Sequence, residues 1–343
     1  MVDKVIIDGQ EVKLTADLFE PTPVQTGDNE AITRESLTFW QDARKRLFKN
    51  KGAVVGLLIL ISIVLMAIFA PMFSKYDYKS QNLRHVKIPP KMPIVSSLGI
   101  MDGKDSKGVD VYAEKNIKEN YLFGTDALGR DIWTRTWTGA RVSLFIAVLA
   151  AVFDLLIGVT YGGISAYYGG KVDIVMQRII EIITGIPQLV IVTLFIMVFD
   201  PGIFSISLAM AVSGWTGMAR VVRSHVLRLK NQEFVLASKT LGSSDFRLIL
   251  KHLFPNVIGP IVVMIMFTLP QAIFYEAFLS FIGLGLQPPD ASLGVLINEG
   301  FKALQNYPYM MFIPSIVVCS LIFALNLLAD GLRDAVDPKM RNQ

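Results

Sequence analysis

The sequence is poor in the residues that build disulfides, metal clusters and many active sites. Cys319 is its single cysteine, which excludes an internal disulfide and any cluster made of several thiolates. Its three histidines, His85, His225 and His252, stand far apart with no ligand spacing, so no metal site is expected. Charged residues make up only 18% of the 343 positions, little for a soluble chain of this length. No stretch carries a phosphate-binding loop. Gly124-Thr-Asp-Ala-Leu-Gly129 has the spacing of one, but Arg130 and Asp131 stand where a lysine and a hydroxyl would hold phosphate and magnesium, and Asp131 would repel phosphate. A cleavable leader is not expected either, because roughly fifty mostly polar residues precede the first apolar run and no small-residue cleavage pattern follows it.

Apolar sequence takes the place of these features. Hydrophobic residues reach 52% and the mean hydropathy is +0.48, which points to the bilayer as solvent. A helix needs about 20 apolar residues to cross a hydrocarbon core of about 30 Å. Six stretches qualify as candidates: Gly52 to Ser74, Val142 to Gly170, Ile182 to Phe199, Ile203 to Ala219, Leu253 to Tyr275 and Ala303 to Ala329. Asp200-Pro201-Gly202 between the third and fourth is a turn that fits a hairpin of antiparallel spans. Pro314 lies inside the sixth, which a membrane helix tolerates when neighbours or water satisfy the freed carbonyl. The fold class predicted is an all-α membrane protein with six transmembrane helices.

Short segments rich in Lys and Arg stay cytoplasmic. Arg44, Lys45, Arg46, Lys49 and Lys51 precede the first span, Lys171 and Arg178 follow the second, a run from Arg220 to Lys251 follows the fourth, and Arg333, Lys339 and Arg341 follow the sixth. All four segments fall on one side, so both termini are expected to be cytoplasmic in the plasma membrane. The long segment 75–141 then lies outside; it is basic too, but exceeds the length over which the rule operates. The net charge of +4 reads as this bias, since scattered basic residues do not form a nucleic-acid surface.

The segment from Arg220 to Asn256 is far longer than a helix hairpin needs, and such loops usually bind something. Glu233 to Leu241 has helix-forming character, and Gly242 suits the residue just past a helix end. Ser243 or Ser244 can cap a second short helix with Phe246, Ile249, Leu250 and Leu253 on one face, and Pro255 opens the next span.

This segment resembles the loop shared by membrane subunits of bacterial binding-protein-dependent ABC importers, Glu-Ala-Ala, three residues, Gly, nine residues, Ile-x-Leu-Pro. Ala237, Gly242 and Pro255 match it, while Leu236 replaces its Glu, Ser238 its second Ala, His252 its Ile and Phe254 its Leu. Further segments resemble the C-type permease subunit of the oligopeptide, dipeptide and nickel group. They are Ala43 to Lys51, Phe123-Gly-Thr-Asp-Ala-Leu-Gly-Arg-Asp131, Gly139-Ala-Arg-Val-Ser143, Tyr168 to Asp173, Leu279 to Pro289, Asn326 to Asp334 and Asp337-Pro338. The resemblance implies a type I ABC importer permease fold with a peripheral first span and a core made of spans two to six. It divides the chain into a cytoplasmic segment 1–51, the first span 52–74, an extracellular segment 75–141, a core 142–333 containing the coupling loop 220–256, and a tail 334–343. Residues 78–120 exceed the shortest members and are expected to form a small outer module. Leu236, Ala237, Ser238, Gly242, Asp245, His252 and Pro255 would couple to an ATPase by packing. The implied partners are a homologous second permease subunit, two cytoplasmic ATP-binding subunits and an extracellular peptide-binding protein. ATP and magnesium would belong to those ATPases, with no cofactor and no catalysis on this chain. Oligopeptides are the expected cargo, with dipeptides or nickel as alternatives, and a wide passage without sharp ligand-binding residues is expected.

Asp154 lies about 18 Å along the second span and so near mid-membrane, where it either faces a water-filled pathway or serves as a structural acid at an interface. Glu276, just past the expected end of the fifth span, reads chiefly as a cap or loop contact. Gly158, Gly162 and Gly163 allow close helix approach. Gly185-Ile-Pro187 breaks or kinks the start of the third span, either as helices that line a pathway do or as a simple kink. A secondary transporter would use Asp154 as its coupling acid, yet no paired inverted halves are visible and the long basic loop would lack a purpose. A membrane enzyme or sensor would need a catalytic constellation or an output domain, and neither is found.

Overall fold

The structure, a computed structural model, describes residues 4–7, 10–13, 38–93, 96–99, 101–105 and 108–336. The chain divides into two compact units, residues 1–40 and 41–343. In the first, β1 (Lys4–Ile7) and β2 (Gln10–Lys13) pair antiparallel, with Lys4 opposite Lys13 and Ile7 opposite Gln10. Asp8-Gly9 stands between them in sequence, the dipeptide favoured by two-residue hairpin turns. This hairpin adds to the polar N-terminal segment expected from composition. Asp337-Pro338 and the rest of the expected tail beyond Val336 lie outside the described residues.

The remaining described elements are helical. After α1 (Phe39–Lys49), the side chain of Asn50 accepts from the Ala53 N–H at 3.2 Å and caps α2 (Lys51–Phe73). Val55, Leu58, Ile61, Leu65 and Ile68 of α2 are all exposed, a pattern that suits hydrocarbon and not water. A short α3 (Val111–Glu114), capped by Asp110, lies in the long connecting segment. Helix α4 (Ile132–Phe153) passes through a π turn at Asp154–Gly158 into α5 (Val159–Tyr168). Next, α6 (Gly170–Gly185) and α7 (Gln188–Phe199) meet at 79° across Ile186-Pro187. Helices α8 (Ile203–Ser213), α9 (Trp215–Leu229) and α10 (Glu233–Thr240) follow. A second π turn at Leu248–Leu253 joins α11 (Asp245–Arg247) to α12 (Phe254–Phe281). The series closes with α13 (Leu293–Lys302) and α14 (Tyr309–Val336).

Four of these runs are long and apolar enough to cross a bilayer: Lys51–Phe73, Ile132–Tyr168, Asp245–Phe281 and Tyr309–Val336. The bent pair α6 and α7 makes a fifth if counted as one span. Six are expected from the sequence. The difference lies at Ile203 to Ala219, which is α8 plus the start of α9, each too short to cross alone; Gly214 between them keeps helical dihedrals of −62° and −44°. Apolar runs also mark helix ends poorly. Span five continues to Phe281, so Glu276 lies inside a helix and not past its end, because its charge finds partners there. Between the fifth and sixth apolar runs lies α13, which Ser292 caps by accepting from the Val295 N–H at 3.3 Å.

Helices α2, α4, α12 and α14 share the larger core, which includes Ile63, Ala140, Ile146, Ile273 and Leu321. A second core gathers Met218, Val222, Val226, Val235, Leu248 and Leu253 beneath α10. Gly162 lets α5 and α9 touch, since a Cβ there would run into the Ala219 carbonyl. Pro71, inside α2, has no N–H for the carbonyl of Ala67 one turn earlier. Arg141 of α4 supplies the missing donors, with Nη2 and Nε at 2.8 Å and 3.0 Å from that oxygen. This repair, by a neighbouring helix, is the one that lets proline survive in a membrane span.

The residues that fail as a phosphate loop form a buried charge cluster. Asp126 accepts from its own loop at the N–H groups of Leu128 and Arg130, 2.8 Å and 2.9 Å away. Its carboxylate also takes Arg130 Nε at 2.6 Å and is ion-paired to Arg135 Nη1. Glu299 of α13 closes the set from the far side, 2.7 Å from Arg135 Nη1 and 3.0 Å from Arg130 Nη2. Asp131 caps α4 through the Thr134 N–H at 2.8 Å, and its burial pushes the carboxyl above the usual range. Arg135 is 0% exposed, so removing it leaves buried carboxylates short of a partner. We expect Arg135→Met to cost about 3–5 kcal/mol in denaturation of the detergent-solubilised chain. Lys79→Met, which breaks an exposed pair with Asp290, leaves the midpoint unmoved.

Candidate coupling hairpin and transmembrane cavity

The segment after α9 folds back on itself because of a helix end built from sequence. Helix α10 stops at Leu241, and Gly242 takes φ +83°, a left-handed conformation that glycine adopts without strain. The Gly242 N–H donates to the Lys239 carbonyl at 3.0 Å and the Ser243 N–H to the Ser238 carbonyl at 3.2 Å. These two bonds are the Schellman pattern, and they satisfy carbonyls the helix leaves open. Ser238 Oγ lies 3.0 Å from Ser243 Oγ and 3.3 Å from His252 Nε2, linking the two arms. Ser244 occupies the N-cap position of α11 without a side-chain bond to the backbone.

Three contacts fix this hairpin to the helical core. Tyr167 Oη donates to Asp245 Oδ1 at 2.5 Å, and Lys230 Nζ donates to the Ala166 carbonyl at 2.8 Å. Val235, 2% exposed, is the one α10 side chain buried, and it packs with Val226 and Leu248. Of the face expected from spacing, Ile249 and Leu253 are buried, while Phe246 and Leu250 are exposed and Leu248 is buried in addition. The π turn adds a residue per turn and rotates the face, so Leu248, Ile249 and Leu253 point inward while Phe246 and Leu250 point out. Ala237, Gly242, Asp245 and Pro255 are exposed, and Ser238 and His252 are half-buried. Leu236, Leu241 and Phe246 are 50%, 87% and 74% exposed, three apolar side chains left open on the hairpin.

A second feature lies in the bundle. Asp154, 6% exposed, opens the π turn between α4 and α5 and borders a cavity of about 600 Å³. Ile186-Pro187 and Gly214, the break of α6 and α7 and the junction of α8 and α9, line the same cavity. Thr184, Gln188, Ser213, Thr268, Gln271 and Tyr275 add polar groups to walls that also carry Met210, Met218 and Met264. Thr268, on the same cavity wall as Asp154, donates its hydroxyl to the Met264 carbonyl at 3.1 Å. Sequence reasoning names Asp154 and the break at Pro187 but misses the others, because isolated Thr, Gln and Tyr in apolar helices leave no pattern.

Glu276 belongs elsewhere. It is 0% exposed, takes Ser143 Oγ at 2.7 Å and Ser280 Oγ at 2.8 Å, and Ser292 extends the chain to the cap of α13. These bonds tie α4, α12 and α13 together. Among the described residues, no group of three or more His, Cys, Asp and Glu is arranged to hold a metal.

Residues 155–342 match the family described as binding-protein-dependent transport system inner membrane component. Residues 38–90 match the N-terminal TM domain of oligopeptide transport permease C. The oligopeptide transport system permease protein OppC of Bacillus subtilis is 47% identical over 94% of this chain and 97% of its own length. The dipeptide transport system permease protein DppC of the same organism is 44% identical over 91% of this chain and 89% of its own length. The corresponding OppC of Escherichia coli is 36% identical over 91% and 95%. Among solved structures, an inward-facing MetNI methionine ABC transporter covers 59% of this chain and 96% of its own at TM-score 0.50 and 18% identity, which shows a shared fold.

A Cβ at Gly242 would meet open space, so a substitution there acts through the backbone alone. Gly242→Ala places a side chain on φ +83° and is expected to weaken the hairpin by about 1 kcal/mol. Hydrogen exchange should accordingly speed up about fivefold at the amides from Leu241 to Leu248, with those of α14 unchanged.

Proposed function

Because the chain belongs to the inner membrane components of binding-protein-dependent transport systems, as an oligopeptide permease of the C type, we propose that it forms half of an oligopeptide import pathway driven by separate ATPases. It is a multi-pass inner membrane protein. The observation that carries the reading is the hairpin tip. Leu236, Leu241 and Phe246 are held exposed in place by the Gly242 turn, the Ser238–His252 link and the Tyr167–Asp245 bond. Exposed apolar groups on a rigid projection are the physical requirement for a docking knob.

The occupant of that knob is the ATP-binding subunit. Closure of a paired ATPase pushes on the tip, and the tip transmits the displacement through Val235 and Leu248 into α9 and α12, which wall the cavity. The hairpin end is cytoplasmic, as are both termini, in keeping with the basic residues from Arg220 to Lys251. A homologous second permease completes the pathway, and an extracellular peptide-binding protein delivers cargo on the face that carries α13. Nucleotide and magnesium sit on the ATPases, since this chain offers no phosphate loop. The relative with a dipeptide name, at 44% identity, supports dipeptides as a second cargo class.

Replacing Leu241 and Phe246 together with Asp puts two charges on the tip. The double variant should insert and pair with the second permease, yet lose co-purification of the ATPase and at least tenfold of labelled-peptide uptake. Full uptake and full co-purification would contradict the docking role.

A further inference from the structure

A carboxylate buried inside a membrane-spanning bundle is costly as a lone charge. Asp154 is 6% exposed, and none of the residues lining its cavity is Lys, Arg or His. Arg220 approaches only the rim, where its Nη2 donates to Thr184 Oγ1 at 3.2 Å. Two hydroxyls of the wall, Ser213 Oγ and Tyr275 Oη, are buried with no hydrogen-bond partner in the protein. Buried polar groups ordinarily find partners, so a carboxylate without a cation beside two unpaired hydroxyls describes a site built for something that comes and goes.

The chemistry of that visitor follows from the walls. It carries one positive group for Asp154 and polar atoms close behind it for the hydroxyls of Ser213 and Tyr275 and the amide of Gln271. Met210, Met218 and Met264 supply a soft apolar surface that accommodates side chains of different shape. A cavity of about 600 Å³ takes a short stretch of chain. Gly214 keeps the carboxylate free, since a Cβ there would stand 2.5 Å from Asp154 Oδ1.

We propose that Asp154 binds the terminal ammonium of a peptide in transit, while the hydroxyls of Ser213 and Tyr275 take its leading backbone groups. The proposal rests on the peptide-import reading. The terminal ammonium is shared by peptides of every sequence, so a contact to it admits them all without selecting among side chains. Such a contact is a waypoint, weak enough to be left again.

The test uses the whole importer in proteoliposomes, with its receptor loaded in turn with one labelled tetrapeptide bearing a free or an N-acetylated amino end. The wild-type complex should carry the free form about tenfold faster, the worth of one charge-assisted hydrogen bond. In Asp154→Asn the preference for the free amino end should vanish. Ser213→Ala and Tyr275→Phe, which remove groups without protein partners, should each lower uptake of both forms about threefold or more. If Asp154→Asn keeps the tenfold preference, or if both hydroxyl variants transport at the wild-type rate, the proposal is overturned and peptide import stands. Should Asp154→Asn fail to assemble, the hydroxyl variants decide alone. A wild-type complex that carries neither peptide overturns the import reading itself and this proposal with it.

Discussion

Inside a bilayer no water stands ready to accept a hydrogen bond from an open backbone group, so every departure from regular helix must be covered by protein or open onto a wet cavity. That constraint organises this molecule. Where Pro71 frees a carbonyl, Arg141 covers it with two donors. The other irregularities are not scattered. The π turn at Asp154, the break at Ile186-Pro187 and the junction at Gly214 border one cavity, and the π turn at Leu248–Leu253 lies beneath the hairpin. Elsewhere helix forms the frame, with Pro260 and Pro270 inside α12 and Pro314 inside α14, and the π turn, break and junction mark where it is interrupted beside the cavity.

The same rule applies to charge. Arg130, Arg135 and Asp126 are buried and form a charge-balanced set with half-buried Glu299, and Glu276 is held by serines, so these groups anchor helices at the end opposite the hairpin. Asp154 differs from them, for no cation lines its cavity. Rigid ends joined by spans that are broken in the middle suit a bundle that rocks about its frame, which is the form of motion the proposed coupling requires.

Much of this was legible in the sequence, because apolar length and glycine spacing are local signals. Gly242 past a helix end and Gly162 at a close approach follow from residue type alone. The boundary errors have one cause, since hydropathy reads Glu276 as an exit from the membrane when Ser143 and Ser280 are what permit it to stay. The pairing of Arg135 with Glu299 spans 164 positions, and no local pattern announces it. After Asp245, spacing places Ile249 and Leu253 correctly but not Phe246 and Leu250, because a π turn shifts the period on which spacing arguments depend and brings Leu248 inward. Helix α13 is too short to give the apolar signal of a span, although Ser292 stands ready as its cap.

The central claim is that a separate ATPase drives this chain through the hairpin tip. Site-directed cross-linking tests it most directly, in a background where Cys319→Ser removes the single native thiol and Leu241→Cys places one at the tip, with Leu58→Cys on the exposed side of α2 as control. The account predicts that the thiol at position 241 cross-links to an ATP-binding subunit in transport-competent membranes, in an amount that changes when nucleotide is added, and that the thiol at 58 does not. Transport at full rate with no such cross-link from position 241 would contradict it.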